Sequence, residues 1–62
     1  MSKLYIAGTD IDGTYFDYIG CYKSFERAAA RCKTVKCFVG EMECNNPQPE
    51  TLEGWTVVYP KK

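Results

Sequence analysis

Two carboxylates lie one residue apart near the start of the chain, at Asp10 and Asp12, and Gly13 and Thr14 follow them directly. Acids at this spacing could supply a nucleophile and a proton donor, or two oxygen ligands for a metal ion. The same residue types are also typical of a hairpin turn, because Asp bonds to its own backbone and Gly accepts a positive φ. The segment therefore has one catalytic and one structural interpretation.

The catalytic interpretation rests on a resemblance to a known family. A hydrophobic strand that leads into Asp10, Ile11, Asp12, Gly13 and Thr14 is similar to the first motif of the haloacid-dehalogenase phosphatases. The resemblance implies a nucleophilic Asp10, a general acid and base at Asp12, and a magnesium ion that neutralises the phosphate. That family also needs a parallel, Rossmann-like sheet of more than about 100 residues and later Ser/Thr, Lys and acidic motifs. Because these 62 residues cannot supply such parts, we interpret the segment as a hairpin turn.

Four cysteines form the second chemically reactive group, and ten, four and six residues separate them in turn. Without a histidine or a CxxC pair, a zinc site would need all four thiolates at an unusual spacing. A disulfide framework is a further alternative, with three possible pairings of four cysteines. Residues 1–9 lack the apolar length of a signal peptide or a membrane span, so we expect a cytoplasmic protein with reduced thiols. The cysteines are Cys21, Cys32, Cys37 and Cys44.

The remaining polar residues do not form a catalytic constellation. A nucleophilic cysteine would lack its usual histidine base, since the chain has no histidine. The two serines, Ser2 and Ser24, lie near the terminus and at a predicted helix cap. We therefore predict that the chain is not an enzyme and uses no cofactor and no metal.

Hydrophobic periodicity and turn residues predict one α+β domain over residues 1–62, with the element order ββαββ. Ser24 is the predicted N-cap of an alanine-rich helix over residues 25–33. We expect an antiparallel sheet of about four strands, with this short helix packed on one face. The predicted strands span residues 4–9, 14–22, 36–44 and 55–59, and a Pro-containing loop spans residues 45–54.

Successive side chains of a strand point to opposite faces of a sheet, so the pairing of the first two strands predicts which side chains share a face. One short helix covers one face, and its small apolar side chains match the aliphatic face better. The aromatic face is then open, and exposed tyrosines favour the binding of a partner. The alternative is that the sheet curls and buries part of this face. The aliphatic face is predicted to contain Leu4, Ile6, Ile19 and Cys21, and the aromatic face Tyr5, Ala7, Phe16, Tyr18 and Tyr22.

Basic side chains recur every fourth residue along the predicted helix edge, at Lys23, Arg27 and Arg31, with Lys33 and Lys36 nearby. Such a row is a solvated helix face or a contact surface for phosphates or an acidic protein. Eight basic and eight acidic residues leave no net charge. Because acids concentrate at the hairpin tip, we favour an oriented protein partner, with nucleic acid as the alternative. The candidate partner-binding residues are Tyr5, Phe16, Tyr18, Tyr22, Arg27 and Arg31.

The layout as a whole resembles small bacteriophage proteins, among them inhibitors of bacterial RNA polymerase and anti-CRISPR proteins with one helix against an antiparallel sheet. The resemblance implies a phage-encoded inhibitor that occupies a host protein or defence complex in the host cytoplasm, without chemistry. We expect a monomer or a weak homodimer that does not engage membranes. The residues that carry the resemblance are the Ser-initiated, Ala-rich segment 24–31, then Cys37, Phe38 and Gly40, and finally Gly54 and Trp55.

Overall fold

The computed structural model describes residues 3–43 and 49–62, and its elements follow the order ββαββ. They form a four-stranded antiparallel sheet with one short helix, which confirms the predicted α+β fold. Residues 44–48, which include Cys44 and part of the predicted 45–54 loop, lie outside the described residues. The strands are β1 (Lys3–Asp10), β2 (Phe16–Tyr22), β3 (Cys37–Glu43) and β4 (Val57–Val58), and the helix is α1 (Phe25–Ala30). Across the sheet the strand order is β2-β1-β3-β4.

The turn between β1 and β2 closes on two aspartate side chains. Gly13 N donates to Asp10 Oδ1 at 2.6 Å, and Thr14 N and Tyr15 N donate to Asp12 Oδ1 at 3.0 and 2.9 Å. Gly13 has a φ of 88°, a conformation that a residue with a Cβ rarely adopts. The N–H groups of Tyr15 and Thr14 stabilise the Asp12 carboxylate and hold its pKa below the ordinary value. These bonds confirm the hairpin-turn interpretation.

The helix begins at the predicted cap, where Ser24 Oγ accepts a hydrogen bond from Arg27 N at 3.2 Å. It ends at Ala30, before the predicted residue 33. Arg31 N and Cys32 N bond to carbonyl oxygens three residues back, at 3.1 and 3.0 Å, a tightening that is common in the last turn of a helix. Among the described residues, no helix has the length and apolar character needed to cross a membrane.

A β-bulge in β2 decides which side chains face the helix. Tyr5 and Ala7 of β1 pair with Tyr22 and Gly20, whereas Gly8 pairs with Tyr18, so Ile19 is an extra residue without a partner. One extra residue inverts the parity of the strand beyond it. As a result the helix covers Ala7 and partly covers Tyr5 and Tyr22, while Phe16, Tyr18 and Cys21 share the opposite face with Ile6. The predicted division into an aliphatic and an aromatic face was therefore wrong.

The face away from α1 is covered by the segments on either side of β4. Phe38 is fully buried there, and the rings of Phe16, Trp55 and Tyr59 lie at centroid distances of 5.3, 5.7 and 6.2 Å from its ring. Leu52 is also buried, and its N–H donates to Thr14 O at 2.7 Å. The prediction of an open aromatic face was wrong because the sheet is covered on both sides.

A disulfide joins Cys32, just beyond α1, to Cys37 at the start of β3. Both cysteines are buried in the core cluster with Ala28 and Val39, and their Cα atoms are 5.1 Å apart. The expectation of reduced thiols is therefore corrected for this pair, because the turn after the helix brings the two side chains together. Cys21 is a free, exposed thiol.

Candidate protein-binding surface

An apolar cleft of about 340 Å³ opens on the helix side of the sheet. One wall is made by Tyr5 on β1 and Phe25 at the start of α1, whose rings meet edge to face at 6.2 Å and 84°. Val39, which is buried, contributes from β3. Phe25 is only partly covered by the fold. We call this cavity the Tyr5–Val58 cleft, and its lining is Tyr5, Phe25, Val39, Glu41, Trp55, Thr56 and Val58.

The opposite wall depends on a close contact between β3 and the segment before β4. Val58 pairs with Val39 and leaves 50% of its surface exposed. Trp55 Nε1 donates to Glu41 O at 3.0 Å, which holds the indole against the edge of β3. A Cβ at Gly40 would overlap the six-membered ring of Trp55. Glycine at this position therefore lets the indole pack closely against β3 at the margin of the cleft.

A charged pair lies at the rim of the cleft. Lys3 Nζ is 3.0 Å from Glu41 Oε1, and about half of each side chain is exposed. The hydrogen bond to Glu41, followed by the attraction of its charge, raises the pKa of Lys3 above the ordinary value. Because solvent screens an exposed pair, a charged group of a partner can compete with it. Glu41 is the single carboxylate among the residues that line the cleft.

The structure divides the predicted aromatic partner-binding residues between the two faces of the sheet, with Tyr5 and Tyr22 paired on the helix side and Phe16 and Tyr18 on the other. Tyr5 lines the cleft, whereas Tyr22 packs against the core with its ring above Gly20. Phe16 packs against Phe38 and Trp55 on the other face. Tyr18 points to that same face and is 53% exposed. Arg27 and Arg31 are both exposed on or directly after α1.

Sequence reasoning missed most of the cleft. Phe25 was expected in the apolar stripe of the helix, and the positions of Trp55 and Val58 depend on strand pairing that the sequence does not show. One available signal was the glycine at position 40 within a strand pattern, because such a glycine often marks the close approach of another group. In the structure the side chain that approaches Gly40 is that of Trp55.

Charge is unevenly distributed along the chain. The segment 23–36, called here the basic segment, contains five basic residues and one acidic residue, a formal charge of +4, so the rest of this neutral chain has −4. Within residues 3–43 and 49–62, Lys3 and Glu41 form the single ion pair. Arg27 and Arg31 therefore have no acidic partner within the described part of the chain.

The lining of the cleft suits contact with apolar groups. The cleft offers three aromatic side chains and the methyl groups of two valines, together with one carboxylate. The described residues contain no group of three or more acids or cysteines placed to hold a metal ion. Searches against known protein families, characterised proteins and solved structures find no significant match to this chain.

Proposed function

We propose that this chain is a non-catalytic domain that binds another protein through the Tyr5–Val58 cleft and the adjoining basic segment. The observation that carries the proposal is the open apolar cleft, in which Phe25 and Val58 remain in contact with water although the core lies directly beneath them. A cavity of this size accepts one or two apolar side chains of a partner. Burial of such an anchor in a pocket supplies a large part of the affinity of many protein interfaces.

The charge distribution supports an acidic partner surface around that anchor. Phe25 lines the cleft, and Arg27 and Arg31 lie on or directly after the same helix. The basic segment has a formal charge of +4 and the remainder of the chain −4. An arrangement of this kind orients an approaching partner as well as attracting it.

The resemblance in layout to small bacteriophage proteins extends the proposal to a host protein or defence complex as the partner. On this proposal the chain acts in the cytoplasm of the host cell and blocks a binding surface without chemistry. Reducing thiols are abundant there, but exchange with a disulfide requires access to its sulfur atoms. The burial of Cys32 and Cys37 limits that access.

The test compares two exposed aliphatic side chains. Val58→Glu places a charge in the cleft, and Ile11→Glu places the same charge on a side chain of similar exposure, 53% against 50%, outside both the cleft and the basic segment. In quantitative capture from bacterial lysate, Val58→Glu should reduce the affinity for the partner by about tenfold or more, which corresponds to about 1.4 kcal/mol. Ile11→Glu should leave capture unchanged, and thermal unfolding should show that both variants fold. Equal capture by the two variants would contradict the role of the cleft.

A direct nucleic-acid binder is the second candidate, and the unpaired basic segment is the observation that favours it. Binding to random-sequence DNA should then weaken steeply with added salt, because phosphate contacts release counterions. Arg27→Glu should reduce the slope of log affinity against log salt by about 0.9 for each phosphate that the variant no longer neutralises. The Val58→Glu variant should bind DNA as the unsubstituted chain does. Absence of salt-dependent DNA binding removes this candidate.

A further inference from the structure

The outer edge of β2 is a long unpaired strand edge. β2 has seven residues and lies at one margin of the sheet, and among the described residues only β1 pairs with it. The other margin is formed by β4, which has two residues. Outward-facing N–H and C=O groups on a strand of this length can pair with a strand of another molecule.

The side chains of β2 leave this edge open to pairing. Proteins commonly protect such an edge with lysine, proline or a bulge, and β2 contains no lysine and no proline. Tyr18 and Ile19 are 53% and 42% exposed, and Cys21 is exposed beside them. Of these three protective features β2 has only the bulge, at Ile19. The bulge determines which residues of β2 share a face, so it limits the registers in which another strand can pair with this edge.

We propose that two copies of this chain associate through antiparallel pairing of their β2 edges, which joins two four-stranded sheets into one. Antiparallel pairing of identical strands has two-fold symmetry and uses the same patch on both copies. It brings the end of each strand that contains Asp17 beside the end of the other that leads into Lys23, so each end of the interface has one acidic and one basic residue. A second copy therefore fits this edge in charge as well as in backbone pattern.

The bulge selects the register of this pairing. Residues that lie opposite each other across two strands share a face of the sheet. Tyr18 and Cys21 both lie on the face away from α1, and Asp17 and Tyr22 both lie on the helix side. A two-fold axis at the bulge therefore places Tyr18 of one copy opposite Cys21 of the second copy, and Asp17 opposite Tyr22.

The dimensions of the edge set the strength of the association. Seven residues of strand extend about 23 Å, and the shortest dimension of the molecule is 16 Å. The contact strip covers roughly 370 Å² on each copy, about half of the 800 Å² of a standard stable interface. We therefore expect a reversible dimer that forms in the upper micromolar range. Because the cleft lies towards the opposite margin, between β1, α1 and β4, the dimer presents two clefts.

Sedimentation equilibrium over a range from about 10 μM to about 1 mM tests the dimer, with non-reducing gels to show that it is not covalent. The unsubstituted chain should dimerise with increasing concentration. Ile19→Lys should weaken dimerisation at least tenfold, because two added charges meet near the axis, and Val35→Lys should not change it. A chain that stays monomeric throughout, or equal effects of the two lysine substitutions, would overturn the proposal.

Cross-linking tests the register. Under mild oxidation the Tyr18→Cys variant should form a covalent dimer, and peptide mass spectrometry should locate the link between position 18 of one copy and Cys21 of the other. Tyr15→Cys is the matched control, since Tyr15 is exposed to 59% but lies in the turn before β2. It should give little dimer at the same protein concentration. Equal cross-linking of both variants would overturn the proposed pairing.

Discussion

Replacement of Gly40 by alanine should destabilise the fold because of one contact. The backbone of Gly40 does not have a positive φ, so the chain itself tolerates an alanine there. The added Cβ would overlap Cζ2, Cε2 and Cη2 of Trp55, where carbon atoms normally approach to about 3.5 Å. The indole must therefore move away from β3.

The cost can be worked out from the contacts that Trp55 makes. Its ring lies 5.7 Å from the rings of Phe38 and Phe16, and each aromatic pair contributes about 0.5–1.5 kcal/mol. Its hydrogen bond to Glu41 O contributes about 1 kcal/mol. The lower entropy of unfolded alanine offsets about 0.4–1 kcal/mol. The net loss is about 2 kcal/mol, a large share of the roughly 3–9 kcal/mol expected for 62 residues.

Urea unfolding followed by far-UV circular dichroism measures this loss, and the emission of Trp55, the single tryptophan of the chain, reports its environment. Gly40→Ala should lower the free energy of unfolding by about 2 kcal/mol and shift the emission towards that of indole in water. Gly20→Ala is the matched control, because a Cβ there meets the Tyr22 hydroxyl at 2.7 Å, the far end of a side chain that can rotate. It should cost less than about 1 kcal/mol.

A double-mutant cycle identifies the cause. Trp55→Leu keeps an apolar side chain over Phe38 but removes the six-membered ring. In that background Gly40→Ala should cost less than about 0.5 kcal/mol, because nothing is left to overlap. A cost that persists undiminished, or unchanged tryptophan emission in Gly40→Ala, would refute the reasoning. The cleft wall would then not depend on this glycine.

Two further predictions concern the disulfide and the hairpin turn. Joint replacement of Cys32 and Cys37 by alanine should lower the free energy of unfolding by about 2 kcal/mol, as expected for a disulfide that closes a short loop. The control Cys21→Ala should change it by less than about 0.5 kcal/mol. Equal losses for the two variants in urea unfolding would contradict a stabilising role of the disulfide. The folded state lowers the pKa of Asp12 below its ordinary value of 3.8. The Asp12 carboxylate therefore stabilises the fold above pH 3.8, and this stabilisation is lost as the pH falls through the pKa of Asp12 in the folded state. Urea midpoints should consequently fall less steeply with acid in Asp12→Asn, and parallel curves would argue against the assignment.

Local chemistry explains which parts of the fold were predictable. The hairpin turn follows from Asp10, Asp12 and Gly13, whose bonds span at most three residues. The start of the helix follows from Ser24, which bonds to Arg27 N. Such contacts form between sequence neighbours, so residue type and spacing are sufficient to identify them.

The candidate site was predictable only in part. Tyr5 and the two arginines were named from the sequence, and the structure places Tyr5 in the cleft and both arginines in solvent. Phe16, Tyr18 and Tyr22 were assigned to one surface with Tyr5, but Tyr22 alone shares the face of Tyr5, and Phe16 and Tyr18 lie on the other face. The bulge at Ile19 separates the two groups, and the neighbouring Gly20 was a sequence signal for it, because a glycine inside a strand often marks a bulge.

The amino-acid sequence alone determined the order of elements, the turn and the helix cap, because short-range hydrogen bonds and periodic burial depend on neighbouring residues. Tertiary structure decided which face each aromatic ring occupies, that Trp55 closes over Gly40, and that Cys32 meets Cys37. These features depend on strand register and on contacts between distant segments. One unpaired residue in β2 is enough to reverse the face of every side chain beyond it.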